Sequence, residues 1–210
     1  MIRVLITDDH ALIRRGLRQV LLEGLDAVTV GEAQNASEAL DQVQKKAWDV
    51  VVMDITMPGR SGLDILRDIK LARPNLPVLI LSMHPEDQFA VRALKSGAAG
   101  FIPKESAPEE LIKAIRKVLA GGRYVTAALA EKMAFDLSTH SDKLAHETLS
   151  DREFQVLRMI ASGKTVGQIA EDVSLSVKTV STYRARILEK MRLQNNAELT
   201  HYAIKHQLVD

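Results

Sequence analysis

The 210-residue chain has no cysteine, which excludes disulfides, thiolate zinc sites and cysteine nucleophiles and fits a reducing compartment. It has no apolar run near the roughly 18 residues of a membrane span. Its start, Met1-Ile2-Arg3-Val4-Leu5-Ile6-Thr7-Asp8, reaches carboxylates before a signal-peptide core could form. Both absences point to a cytoplasmic protein with no membrane partner. A dominant sign of charge is missing too: the formal net charge is +1, and acids and bases nearly balance in residues 1–121, 122–146 and 147–210 alike. Bulk charge therefore gives no hint of a nucleic-acid partner. Internal repeats and low-complexity tracts are also lacking. What is present is 46% hydrophobic and 26% charged residues, an ordinary globular composition in a length that suits two domains.

In residues 1–121 short β-branched runs alternate with amphipathic stretches, the pattern of βα units around a parallel sheet. Strands are predicted at Ile2–Thr7, Ala27–Gly31, Asp49–Met53, Val78–Ser82 and Gly100–Ile102, the middle ones apolar enough to be buried on both faces. Helices are predicted at Ala11–Leu22, Ala36–Lys45, Gly62–Ala72, Gln88–Ser96 and Pro108–Ala120, with Ser37, Asp87 and Ser106 as helix-start residues. The expected fold class is α/β, a five-stranded doubly wound parallel sheet. Gly121-Gly122 stops the fifth helix, and residues 122–146 read as a linker, with a weak helical pattern over Ala127–Leu137 and a polar stretch over Ser138–Asp142. Residues 147–210 read as an all-α domain with helices at Asp151–Ala161, Val166–Val173, Val177–Met191 and Ala197–Lys205.

Ligands of a parallel sheet bind beyond the carboxyl ends of its strands. Asp8 and Asp9 end the first predicted strand, Asp54 ends the third, Ser82 ends the fourth and Lys104 follows the fifth. A few carboxylates with waters and phosphate oxygens are what Mg²⁺ requires, and a hydroxyl and an ammonium are what a transferring phosphoryl group requires. Taken singly, each residue has a plain reading: a helix cap for Asp8 or Asp9, a turn into Pro58-Gly59 for Asp54, a solvated charge for Lys104. Five residues of the right type at four strand ends make coincidence a poor account.

These residues, with Asp54-Ile55-Thr56-Met57-Pro58-Gly59, Gly62 and Gly97-Ala98-Ala99-Gly100-Phe101-Ile102-Pro103-Lys104, closely resemble the receiver domain of two-component response regulators, a flavodoxin-like fold. The resemblance implies that Asp54 is the phosphoacceptor, that Asp9, Asp54 and the Thr56 carbonyl ligate Mg²⁺, and that Asp8 helps through water. It also implies that Ser82 and Lys104 contact phosphoryl oxygens and that Phe101 reports the active state by its rotamer. The domain would catalyse only its own phosphorylation and dephosphorylation. His84 and Thr56 stand where they would tune the lifetime of the phosphorylated state.

The tail opens with a capping box, Ser150 and Glu153. Val166–Val173, a turn at Ser174-Leu175 and a helix capped by Ser176 have helix-turn-helix spacing. Val180, Ile187 and Met191 should face the core, while Lys178, Ser181, Thr182, Ala185 and Arg186 form a small, polar opposite face that can approach a major groove. Between Ser176 and Arg192 stand Lys178, Arg184, Arg186, Lys190 and Arg192 against Glu189. In the last helix, Leu199, Ala203 and Ile204 are available for burial.

The wording here, including Leu149-Ser150-Asp151-Arg152-Glu153, Lys178-Thr179-Val180, Tyr183 and Lys190-Met191, closely resembles LuxR-type DNA-binding domains over residues 147–207. With the receiver, it implies the NarL/LuxR-type class of response regulators. Lys178, Thr179, Ser181, Thr182, Ala185, Arg186 and Lys190 are the expected DNA contacts. Val166, Gly167 and Asn196 depart from residues common at those positions.

The implied function is a phosphorylation-dependent transcriptional regulator. It would take its phosphoryl group from a sensor histidine kinase, form a homodimer when phosphorylated, and bind double-stranded DNA. A haloacid-dehalogenase-like phosphotransferase would want a second Asp two residues after the nucleophile, where Thr56 stands. A constitutive DNA binder with an inert receiver is set against the complete acidic set.

Overall fold

The computed structural model describes residues 1–55, 57, 62–82, 86–106, 108–127, 129–131, 133, 144–206 and 208–209, without the side chains of 86–88. The chain divides into two compact units, Met1–Ser138 and Thr139–Asp210.

In the first unit the strands are β1 (Ile2–Thr7), β2 (Val28–Ala33), β3 (Val50–Asp54), β4 (Val78–Ser82) and β5 (Gly100–Pro103). They form one parallel sheet in the order β2-β1-β3-β4-β5. The helices alternating with them are α1 (Ala11–Gly24), α2 (Ala36–Lys45), α3 (Gly62–Ala72), α4 (Glu86–Lys95) and α5 (Pro108–Leu119). Every residue of β3 and β4 is buried, as continuous Val-Val-Val-Met and Val-Leu-Ile-Leu runs require when helices cover both faces. One alternation of the strands, Val4, Ile6, Val50, Val52, Leu79, Leu81 and Ile102, packs with Leu21 of α1, with Leu25 at its end, and with Leu111, Ala114, Ile115 and Val118 of α5. The other alternation, Leu5, Val51, Met53, Ile80 and Phe101, is also fully buried, which leaves α2, α3 and α4 to cover that face.

Several boundaries differ from the sequence expectation. β2 begins at Val28 and runs on to Ala33, because its register with β1 continues from Ile2↔Val28 to Thr7↔Ala33. Asp54 and Pro103 join their strands as last residues. The cap of α2 is Asn35, not Ser37: Asn35 is extended and accepts from Glu38 N, whereas Ser37 is already inside the helix. Asp87 falls inside α4, which starts at Glu86. Of the expected linker, Tyr124 belongs with the first unit. Its N–H donates to Ala99 O (2.9 Å), its carbonyl accepts from Phe101 N (3.2 Å), and its hydroxyl bonds Glu110.

Among its described residues the second unit carries a 3₁₀ turn at Ala145–Thr148 and four helices, α6 (Asp151–Ala161), α7 (Val166–Asp172), α8 (Val177–Met191) and α9 (Asn196–Lys205). Their starts are written in the sequence: Ser150/Glu153 and Thr165/Gln168 form capping boxes, while Ser176 and Asn195 each cap through a side-chain oxygen. Phe154, Leu157, Ile169, Val180, Ile187, Leu199 and Ala203 are buried. Ile204, expected to be available for burial, is 55% exposed. Leu199 and Ala203 occupy the inward side of α9 at i, i+4, and the next residue turns about 100° away. Among the described residues no helix is long and apolar enough to cross a membrane.

Candidate functional site

Strand register assembles the first site. Thr7 of β1 lies opposite Met53 of β3, so Asp8 and Asp54 stand level at the carboxyl edge of the sheet. β4 sets Leu81 against Asp54, placing Ser82 one step beyond, and β5 sets Pro103 against Ser82, placing Lys104 one step further. Lys104 N donates to Ser82 O (2.8 Å) and fixes that last step. On the other side of Asp54, Gly62 N donates to Ile55 O. A Cβ on Gly62 would lie 2.6 Å from Ile55 Cα and 2.9 Å from Asp54 O, so only glycine lets α3 begin this close to the end of β3.

Asp8 and Asp54 are 1% and 3% exposed, and Ser82 is fully buried. Two buried carboxylates side by side need a cation. Lys104 supplies one: its Nζ lies 2.7 Å from Asp54 Oδ2 and 2.6 Å from Asp8 Oδ2. Burial works against the ammonium, but Asp54 and Asp8 outweigh it and hold the Lys104 pKa above its ordinary value. Asp8 Oδ1 meanwhile accepts from His10 N at 2.8 Å, so the start of α1 is capped by Asp8 while His10, the residue at the cap position, gives no side-chain cap.

Ligand atoms of Asp8, Asp9, His10 and Asp54 all fall within 4.8 Å of one another. Asp9 Oδ1 is buried yet accepts no hydrogen bond, with His10 Nδ1 3.0 Å away. An orphaned carboxylate oxygen in a set of hard oxygen donors fits a divalent cation such as Mg²⁺. Phe101 is fully buried on β5. Thr56, Pro58, Gly59 and His84 lie outside the described residues.

The second candidate surface is the outward side of α8. Val180, Ile187 and Met191 are buried, and Lys178, Ser181, Thr182, Ala185, Arg186 and Lys190 are exposed. Four residues separate α7 from α8, and Ser174 turns the chain with a positive φ of 51°, which is helix-turn-helix geometry. Two of the expected contacts also have partners within the unit. Thr179 Oγ1 lies 2.8 Å from Ser176 Oγ, and Lys190 Nζ donates to Glu153 Oε2 at 2.6 Å. Arg184 Nε donates to Asn196 Oδ1 at 2.6 Å, tying α8 to the first residue of α9.

Sequence reasoning missed His10, which lies against both Asp8 and Asp9, and Arg14, whose Nη1 donates to Asp8 O at 2.8 Å. Adjacency was the available signal for His10. Arg14 sits one helical turn into α1, where an arginine reads as a solvated charge.

Residues 4–116 match the response regulator receiver domain family, and residues 147–203 match the bacterial regulatory proteins of the luxR family. The chain is 38% identical to the response regulator UvrY of Escherichia coli over 209 residues, covering 99% of this chain and 96% of that one. It is 38% identical to the response regulator GacA of Pseudomonas aeruginosa over 215 residues, covering 100% and 99%. Among solved structures, RcsB from Salmonella enterica serovar Typhimurium, bound to promoter rprA in the presence of phosphomimetic BeF3-, superposes with a TM-score of 0.64. It is 28% identical, covering 96% of this chain and 98% of that one. With a receiver's acidic strand ends in one unit and a LuxR-type helix-turn-helix in the other, the chain belongs to the NarL/LuxR-type response regulators, which regulate transcription in a phosphorylation-dependent manner.

Proposed function

We propose that Asp54 is the phosphoacceptor and that its phosphorylation changes dimerisation and promoter binding. The observation that carries this reading is the buried Asp8–Lys104–Asp54 bridge, with both contacts under 3 Å. An Asp54 oxygen attacks the phosphorus of a sensor kinase's phosphohistidine, the P–N bond breaks, and the imidazole leaves with the bonding pair. Asp9, Asp54 and the Thr56 carbonyl would hold Mg²⁺, with Asp8 helping through water. The bound ion supplies positive charge for the phosphoryl oxygens. Lys104 and the Ser82 hydroxyl hold the new acyl phosphate, and their inward draw on β4 and β5 is the event that Phe101 follows. The protein works in the cytoplasm, with a receiver over 1–121 that also takes Tyr124 onto its β5 edge, a linker in the rest of 122–146, and a DNA-binding domain over 147–210.

On DNA, α8 enters the major groove. Ser181, Thr182 and Ala185 approach base edges, while Lys178, Thr179 and Arg186 reach phosphates. Lys190 keeps one N–H on Glu153 and has others for the backbone.

The test is intact-mass measurement after incubation with Mg²⁺ and acetyl phosphate, on wild type and Asp54→Asn, with DNA binding followed in the same samples. One added phosphoryl group in wild type alone, with tighter DNA binding, is the expected result. Equal DNA binding with no mass gain in either protein would instead support a constitutive binder.

A further inference from the structure

We propose that Arg14 is a positioning residue for the acidic pocket, holding through its guanidinium the turn on which Asp8 and Asp9 stand. The proposal rests on the reading of that pocket as a Mg²⁺ and phosphoryl site. Arg14 is on the first turn of α1, its own N–H bonding His10 O, and side chains there lean back toward the helix start. Its Nη1 donates to Asp8 O at 2.8 Å, and its Nε lies 3.3 Å from Glu32 Oε2, near the end of β2. The side chain is 13% exposed. One guanidinium thus spans the ends of β1 and β2 and orients the peptide unit joining Asp8 to Asp9.

The rest of Asp8 is fixed from other directions. Its N–H donates to Ala33 O, Oδ1 accepts from His10 N, and Oδ2 faces Lys104. Asp9 is held more loosely: it is a quarter exposed, its buried Oδ1 accepts no hydrogen bond, and the His10 ring nitrogen 3.0 Å from it belongs to a largely exposed side chain. Its aim is therefore set by the Asp8–Asp9 peptide, whose carbonyl Arg14 holds. A fixed planar fork grips a carbonyl and a carboxylate in one set orientation, which the rotatable ammonium of a lysine does not impose. Arg18 provides the contrast: on the same helix, it lies 3.7 Å from Glu32, and it removes the same charge when replaced.

The experiment is Mg²⁺ titration calorimetry on the full chain, with thermal unfolding in chelator alongside, for wild type, Arg14→Ala, Arg14→Lys and Arg18→Ala. Loss of a residue that orients metal ligands typically weakens binding about tenfold or more, and that is expected of Arg14→Ala. Arg14→Lys should fall between it and wild type, and Arg18→Ala should match wild type. Affinity within about twofold of wild type in Arg14→Ala, or an equal loss in Arg18→Ala, overturns the proposal. Should Arg14→Ala fail to fold, Arg14→Lys and Glu32→Gln carry the same comparison, each expected to weaken Mg²⁺ binding with the melting midpoint nearly unchanged. If wild type itself binds no Mg²⁺, the reading of the pocket falls, and this inference falls with it.

Discussion

Asp8, Asp54 and Lys104 hold their charges at 7% side-chain exposure or less, whereas Lys178, Arg186 and their neighbours on α8 stand exposed. In the pocket each charge exists on condition of the others, because an unpaired ion in a low-dielectric setting is costly. At Lys178 and Arg186 water screens each side chain, so one can change without consequence for the next. The pocket should therefore read the same wherever its chemistry recurs, while the helix face is free to encode a target.

Three measurements sharpen this contrast, in falling order of effect. Lys104→Met leaves two adjacent carboxylates without their cation, and urea unfolding in chelator should show a loss of about 3 kcal/mol, part of it returning with Mg²⁺. A loss no greater than that of a surface substitution would erase the distinction between the two regions.

Glu153→Gln tests a buried ion of the DNA-binding unit. Burial alone would raise the Glu153 pKa, but Lys190 and the Ser150 amide outweigh it and hold the carboxyl below its ordinary 4.5. The folded pKa is depressed, so its stabilisation is present above 4.5 and lost as pH falls through the folded value. The gap between wild type and Glu153→Gln, about 1 kcal/mol at neutral pH for a capping-box carboxylate, should close as acid is added. A gap that stays constant down to acid pH would remove the ionised carboxylate from the account.

Arg186→Ala should leave stability within about 0.5 kcal/mol of wild type. It should weaken DNA binding on all sequences alike, with the slope of log affinity against log salt smaller by about 1. A melting shift comparable to that of Glu153→Gln would mean that α8 is not the independent surface described.

What was legible in the sequence follows the same division. Val-Val-Val-Met-Asp and Val-Leu-Ile-Leu-Ser announce buried parallel strands with polar ends, and strand ends are where a doubly wound sheet binds ligands, so Asp54, Ser82 and Lys104 could be named in advance. Helix starts were legible at Ser150, where Glu153 three residues on completes a capping box, and at Ser176, and misread where Asn35 and Ser37 competed and only backbone angles decide. Contacts that depend on packing were not legible. Lys190 meets Glu153 across 37 positions, and Arg14 reaches back to a carbonyl that no residue type advertises. Ile204 shows the converse: an apolar residue beside a buried Ala203 carries no obligation to be buried itself.

Tyr124 has a bearing on how the receiver can be handled in isolation. Its N–H and carbonyl bond Ala99 and Phe101 along the free side of β5, the flank on which the sheet would otherwise offer unused donors and acceptors to any passing strand. A chain cut at Gly121, two residues past the end of α5, would bare that flank beside the apolar Phe101 and Ile102 and invite edge-to-edge aggregation between copies. A receiver carried through Thr126 keeps its own stopper.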